Sequence, residues 1–298
     1  MRWDDFRSSD MVEDRRGDGG GGIGIPMGRG GLGIGTIIIL TLAGWALGIN
    51  PAILIGGAEM IGAGRQPTQQ TSQQAPQGRT GAPEDRAGQF ASKILGNSED
   101  VWSQVLPAQV NKQYSPPKMV LYSNATRSRC GGARSAMGPF YCPLDQTVYI
   151  DLSFFQEMQR RFRVGGDFAY AYVIAHEVGH HVQNLLGLLQ RAQQRQREVG
   201  EPESNQISVR VELMADCLAG VWAKNSDQRY HVLEEGDVEK AMAAAQAIGD
   251  DRLQRQSQGY VVPDSFTHGS SEQRVRWFMT GLKGGQVQQC DTFRASRL

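Results

Sequence analysis

Residues 176–180 read His-Glu-Val-Gly-His, and this spacing constrains the fold more than any other feature of the chain. Positions four apart on an α-helix differ by about 40° around the axis and lie one turn apart. His176 and His180 share a face only if the segment is helical. Two imidazoles on that face can reach one ion, at about 2.0–2.1 Å for zinc. Glu177 follows the first histidine directly. Its carboxylate can approach the open coordination position without binding the metal, which is where a water-activating base must stand. The preceding run, 168–175 (FAYAYVIA), is apolar and predicts a buried helix. His181 points about 100° away from His180 and is assigned to packing or hydrogen bonding. The competing reading is a helix that carries two ordinary histidines.

A catalytic zinc site takes a third protein ligand and leaves a fourth position for water. The segment 212–216 (ELMAD) puts two carboxylates four apart on a second predicted helix. Glu212 is the candidate third ligand. Asp216 is the candidate hydrogen-bond partner for the far nitrogen of a ligand histidine, fixing its tautomer. The bland alternative is two solvent-facing acids. Against it, Val211, Leu213, Met214, Leu218 and Val221 make this helix apolar on most sides, and a buried carboxylate without a partner is costly.

The rest of the chain divides into four parts. Residues 1–30 are polar, mixed in charge and glycine-rich toward their end, and read as a disordered tail. From 31 to 58 no residue is charged. A bilayer core needs roughly 20 apolar residues, so 31–57 reads as a single uncleaved transmembrane anchor. Basic residues before it favour a cytoplasmic N-terminus. Residues 58–86 are rich in Gln, Pro, Ser and Thr and read as a linker. A catalytic domain over 87–298 follows. Inside it, helices are expected over 87–96, 99–112, 153–163, 168–197, 206–224 and 237–256, with Asp167 and Asp237 as N-caps. Strands are expected over 118–123 and 146–152.

The net charge is zero, which excludes a nucleic-acid footprint in the totals. Cys130, Cys142, Cys217 and Cys290 form no C-x-x-C pair. An even number suits an oxidising compartment, and four cysteines allow three pairings. Cys130 with Cys142 is the shortest loop and would stabilise by about 3 kcal/mol, leaving Cys217 with Cys290. Four buried thiols are the alternative.

HEVGHHVQNLLG (176–187), ELMADCLAGVWA (212–223), GPFYCPLDQTVYIDLSFF (138–155) and DSFTHGSSEQR (264–274) resemble the neutral zinc metallopeptidases of the YpfJ type. The resemblance covers most of 87–295 and the N-terminal MRWDDFRSSDMVEDRRG. It implies a zincin-like domain whose E-x-x-x-D element resembles the gluzincin pattern, with Glu212 as third ligand and Asp216 behind a histidine. The stretch Thr267-His268-Gly269 followed by Arg274 is similar to a T-H-P…R element of some membrane zinc proteases, with Gly269 in place of the proline. By that likeness His268 stabilises the oxyanion; the alternative is a loop histidine beside a helix starting near Ser270. Arg274 is expected to pair with an acid. Strand 146–152 is expected either as an edge strand that pairs with a peptide substrate, as in the zincins it resembles, or as sheet core.

These readings converge on an α+β, mostly helical zincin-like metallopeptidase with a small sheet, preceded by one transmembrane helix. The expected activity is zinc-dependent endopeptidase cleavage of a peptide or protein substrate. Zn2+ would sit on His176, His180 and Glu212, Glu177 would act as general base, and the domain would lie on the extracytoplasmic (periplasmic) side of the inner membrane. Two rivals stand beside it: a zinc-binding membrane protein with a binding or regulatory role, and a helical module without metal.

Overall fold

The computed structural model describes residues 1–17 and 78–298. The anchor expected over 31–57, and the linker up to residue 77, lie outside these residues. Among the described residues no helix is long and apolar enough to cross a membrane.

Residues 1–17 correct the expected tail. They hold strand β1 (Val12–Asp14), which pairs antiparallel with β2 (Arg79–Thr80) and parallel with β3 (Lys118–Tyr122). Three large apolar side chains, Trp3, Phe6 and Val12, are buried in the main core. The charges that suggested disorder are paired: Arg7 with the distant Glu99 and Asp100, and Arg16 with the distant Asp85 and the neighbouring Asp14. Residues 1–17 and 78–298 therefore build one core together.

Helix α1 (Arg86–Val110) is continuous where two helices were expected. The Asp85 side chain caps it, and Asn111 ends it in the left-handed conformation. Gly96 lies inside it because the N-terminal segment crosses there: a Cβ would fall 2.5 Å from the Arg7 carbonyl oxygen. The chain then runs through β3, the hairpin β4 (Ala125–Ser128) and β5 (Gly131–Arg134), β6 (Phe140–Cys142) and β7 (Thr147–Asp151). Among the described residues the main sheet has the order β2-β1-β3-β7-β6. Strand β7 is parallel to β3 and antiparallel to β6, so it is sheet interior. The expected edge role fails for it, and β6 forms that edge. All five β7 residues are buried because both faces of the sheet are covered. Val148 and Ile150 lie in the main core, and Tyr149 packs in a second cluster with Val120, Tyr122, Ala133 and Cys142.

Helix α2 (Ser153–Glu157) and a π turn (Met158–Phe162) lead to α3 (Asp167–Leu185). The expected 168–197 helix is interrupted at Gly187, whose φ of +70° is left-handed, and resumes as α4 (Leu188–Gln196). Next come α5 (Glu201–Tyr230), α6 (Asp237–Ala247), α7 (Asp250–Gln258) and α8 (Ser271–Gly284). Gly166 and Gly236 take the N-cap positions, so Asp167 and Asp237 are first helical residues rather than caps. A capping box formed by Ser270 and Gln273 starts α8. Both disulfides are formed, Cys130–Cys142 and Cys217–Cys290. The first ties the β5-side turn to β6; the second ties α5 to the C-terminal segment.

Candidate metal centre

The centre lies where α3 and α5 touch. Gly179, inside the His-Glu-Val-Gly-His run, makes that approach possible: a Cβ there would lie 2.9 Å from the Ala215 carbonyl oxygen. A larger residue would push α5 away and carry Glu212 and Asp216 with it. A second close contact seats α8 on α5. At Gly281 a Cβ would meet the Cys217 carbonyl oxygen at 1.9 Å. This contact delivers Arg274 to the same place.

One ligand atom each from His176, His180 and Glu212 lies within 4.8 Å of the others. His176 Nε2 is 3.2 Å from Glu212 Oε2, and His180 Nε2 is 3.5 Å from Glu212 Oε1. Ligand atoms about 2.0–2.1 Å from one tetrahedral ion stand roughly 3.3 Å apart, so the spacing fits zinc.

The opposite ring nitrogens reveal the protonation pattern. His176 Nδ1 is 2.9 Å from Asp216 Oδ1. Asp216 is fully buried, and its pKa is lowered to about 2: burial raises it, but the Arg274 and His176 charges and hydrogen bonds outweigh that. An ionised carboxylate can only accept, so His176 Nδ1 carries the proton. Asp216 also accepts from Tyr172 Oη at 2.5 Å, from Arg274 Nε at 2.8 Å and from Arg274 Nη2 at 2.9 Å. On the other ring, His180 Nδ1 is 2.9 Å from Gln183 Oε1. With both Nδ1 atoms donating, both neutral rings turn an Nε2 lone pair toward Glu212.

A lone pair facing a carboxylate repels it unless a cation lies between. Protons can meet that need. Burial lowers the His176 pKa, but Asp216 and Glu212 outweigh burial and push it to about 10. His180 is also raised, burial opposing and Glu212 prevailing. Glu212 is held well below the usual carboxylate range, its burial offset by His180 and His176. The donor set thus demands positive charge at its centre, which a divalent ion supplies while displacing the protons.

Glu177 is buried at 7% exposure, and among the described residues its carboxylate accepts no hydrogen bond. Burial pushes its pKa up, opposed by the charges of His176 and His180. His268 lies on the loop before α8. Its Nδ1 is 3.2 Å from Asp250 Oδ1, and Asp250 Oδ2 accepts the backbone N–H groups of Thr267, His268 and Gly269. Burial lowers the His268 pKa, but Asp250 and Glu212 outweigh it and the net shift is upward. His181 stays out of the cluster, facing Tyr141 and the Ser115 carbonyl.

Three residues of this arrangement escaped sequence reasoning, Gln183, Tyr172 and Asp250, as did the pairing of Arg274 with Asp216. Helical spacing could have found two of them. Gln183 lies three residues after His180, and Tyr172 four before His176, on neighbouring positions of one face.

A family model described as "Putative neutral zinc metallopeptidase" matches residues 1–293. The chain is 49% identical over 302 residues to "Uncharacterized protein YpfJ" of Escherichia coli strain K12, covering 99% of this chain and 100% of that one. It is 46% identical over 231 residues to an uncharacterized protein of Mycobacterium tuberculosis strain H37Rv, covering 74% of this chain and 75% of the relative. A Mycobacterium bovis protein matches to the same extent. No solved structure matches the chain.

Proposed function

The chain belongs to the neutral zinc metallopeptidase family, and on that premise we propose that it is a membrane-anchored, zinc-dependent endopeptidase. The observation that carries the reading is the convergence of His176, His180 and Glu212 beside a buried Glu177 whose carboxylate accepts no hydrogen bond among the described residues. When bound there, zinc would supply Lewis acidity, lowering the pKa of water and polarising a carbonyl.

The chain's own groups would do the rest. Glu177 takes a proton from the attacking water and passes it to the leaving amine. Its raised pKa suits both transfers, since a strongly acidic carboxyl would accept poorly. His268, held by Asp250 and biased toward its protonated form, donates a hydrogen bond to the oxyanion, worth about 3 kcal/mol in comparable sites. Asp216 keeps the His176 ring in one tautomer, and Arg274 balances the buried Asp216 charge. The uncharged run over 31–57 would attach the chain to the inner membrane. Because residues 1–17 share one sheet and one core with residues 78–298, both lie on the same side of it, and a single crossing with a cytoplasmic N-terminus does not fit. The two disulfides fit a domain on the oxidising, extracytoplasmic side.

The test is cleavage of an unfolded protein by the purified chain, with and without a chelator, beside Glu177→Gln. Wild type should cleave and lose activity on chelation. Glu177→Gln should keep one zinc per chain and lose at least about 100-fold in rate. Full activity in that variant would remove Glu177 from the mechanism. Zinc binding without cleavage in wild type would favour a binding or regulatory role.

A further inference from the structure

We infer that Gln183 is a positioning residue for the metal centre, setting the tautomer of His180 and tying it to the main chain beside Glu212. The inference rests on the reading of His176, His180 and Glu212 as metal ligands.

Gln183 is 1% exposed and lies one helical turn beyond His180 on α3. A buried primary amide must satisfy an acceptor oxygen and a donor nitrogen. Its Nε2 donates to the Val211 carbonyl oxygen at 2.7 Å, and its Oε1 faces His180 Nδ1 at 2.9 Å. The carbonyl settles which way the amide points. A peptide oxygen can only accept, so the NH2 group must face Val211, and the reverse orientation would set two oxygens against each other. Oε1 therefore faces the imidazole, and His180 Nδ1 must be the donor. The only nitrogen left with a lone pair is Nε2, the one directed at Glu212.

Val211 immediately precedes Glu212. One amide thus fixes the ring of the second ligand and the backbone next to the third. It spans the contact between α3 and α5 that Gly179 opens. The first ligand is served differently. His176 is held by an ionised Asp216, itself neutralised by Arg274, whereas His180 is held by a neutral amide. Holding His180 with an amide avoids adding another carboxylate to the three already at the centre, Glu177, Glu212 and Asp216.

Partners behind ligating histidines typically change metal affinity by about 10- to 100-fold when removed. Two variants separate positioning from packing. Gln183→Met keeps the length but offers His180 no acceptor. Gln183→Glu keeps an acceptor for Nδ1–H and loses the donor to Val211. Both lose the Val211 hydrogen bond and should lower the unfolding midpoint, Gln183→Glu by more because it also sets a buried carboxylate oxygen against the Val211 carbonyl. Zinc affinity of the full chain, measured by chelator competition, should weaken about 10- to 100-fold in Gln183→Met and stay within about threefold of wild type in Gln183→Glu.

Equal affinity in Gln183→Met and wild type, or an equal loss in both variants, would overturn the inference while leaving the three-ligand reading intact. Wild type that binds no zinc, with His176→Ala indistinguishable from it, would overturn both.

Discussion

His180 and His181 are neighbours in sequence and opposites in environment. His180 faces α5, where Glu212 lies 3.5 Å from its Nε2. His181 faces the sheet side of α3, fully buried, with Nδ1 2.9 Å from the Tyr141 hydroxyl and Nε2 2.6 Å from the Ser115 carbonyl oxygen. Both rings are withdrawn from water, which lowers a histidine pKa. On the α5 face Glu212 reverses the effect, and the His180 pKa is raised. On the sheet face nothing ionised reverses it. Burial lowers His181 to about 4, only partly countered by Ser115. The pair shows that nearby carboxylates and a nitrogen left free, and not burial alone, set the candidate metal face apart. His181 has both nitrogens committed: Nε2–H donates to a carbonyl, and Nδ1 accepts from a phenol that also accepts from Asn184. It is a neutral packing residue of the kind expected from its angle on the helix.

The sharpest way to break this contrast is to exchange the histidines one at a time. His180→Ala should weaken zinc binding by roughly a thousandfold or more, as loss of one ligand from a tightly held site implies. His181→Asn should leave it within a few-fold. Zinc titration with a competing chelator reads both, and comparable losses would erase the distinction between the faces.

The next effect in size concerns the charge behind the metal face. Asp216→Ala leaves the Arg274 guanidinium buried with no carboxylate, since Asp216 accepts from both its Nε and Nη2. Breaking such a pair costs about 4 kcal/mol. Denaturant unfolding of the variant beside wild type measures it. A loss below about 1 kcal/mol would mean that the network is not as dry as its full burial implies.

The sheet face has its own signature in pH. The folded pKa of His181 lies near 4, below the unfolded value of about 6.5. As pH falls, the unfolded chain takes up this proton first. The stability is therefore fully present above about pH 6.5 and declines toward pH 4, by about 3 kcal/mol in total. Unfolding free energies across that window should slope less steeply in His181→Asn than in wild type. An unchanged slope would contradict a neutral His181. The smallest effect is expected for Tyr141→Phe. It deletes the hydroxyl that meets His181 Nδ1 and Asn184 Nδ2 and should cost about 1–2 kcal/mol without changing zinc affinity.

The convergence of the candidate ligands was legible in the sequence because its signals are local. His176 with His180, and Glu212 with Asp216, are each four apart, and helical geometry alone puts each pair on one side. Placing the two pairs together took the chemistry of a third ligand, and the close approach at Gly179 is what realises it. Arg274 was legible as an ion-pairing residue, but its partner was not, because Asp216 is 58 residues away. The N-terminal segment was misread for the same kind of reason. Its strand pairs with residues 119–121, more than a hundred positions on. Its few apolar side chains are spaced too sparsely to show a period. Strand β7 was found, but its place in the sheet depends on a three-residue partner, β6, too short to announce itself. Gln183 went unnoticed although its spacing from His180 is helical, since a glutamine carries no metal chemistry until its neighbours are known.

In the proposed reading His176, His180 and Glu212 together hold one divalent ion. Elemental analysis of the purified full chain, beside Glu212→Ala and His181→Asn, tests it most directly. One zinc per chain is expected in wild type and in His181→Asn, and a loss of zinc in Glu212→Ala after dialysis against a mild chelator. Zinc retained in full by Glu212→Ala, or absent from wild type purified with zinc present, would contradict it.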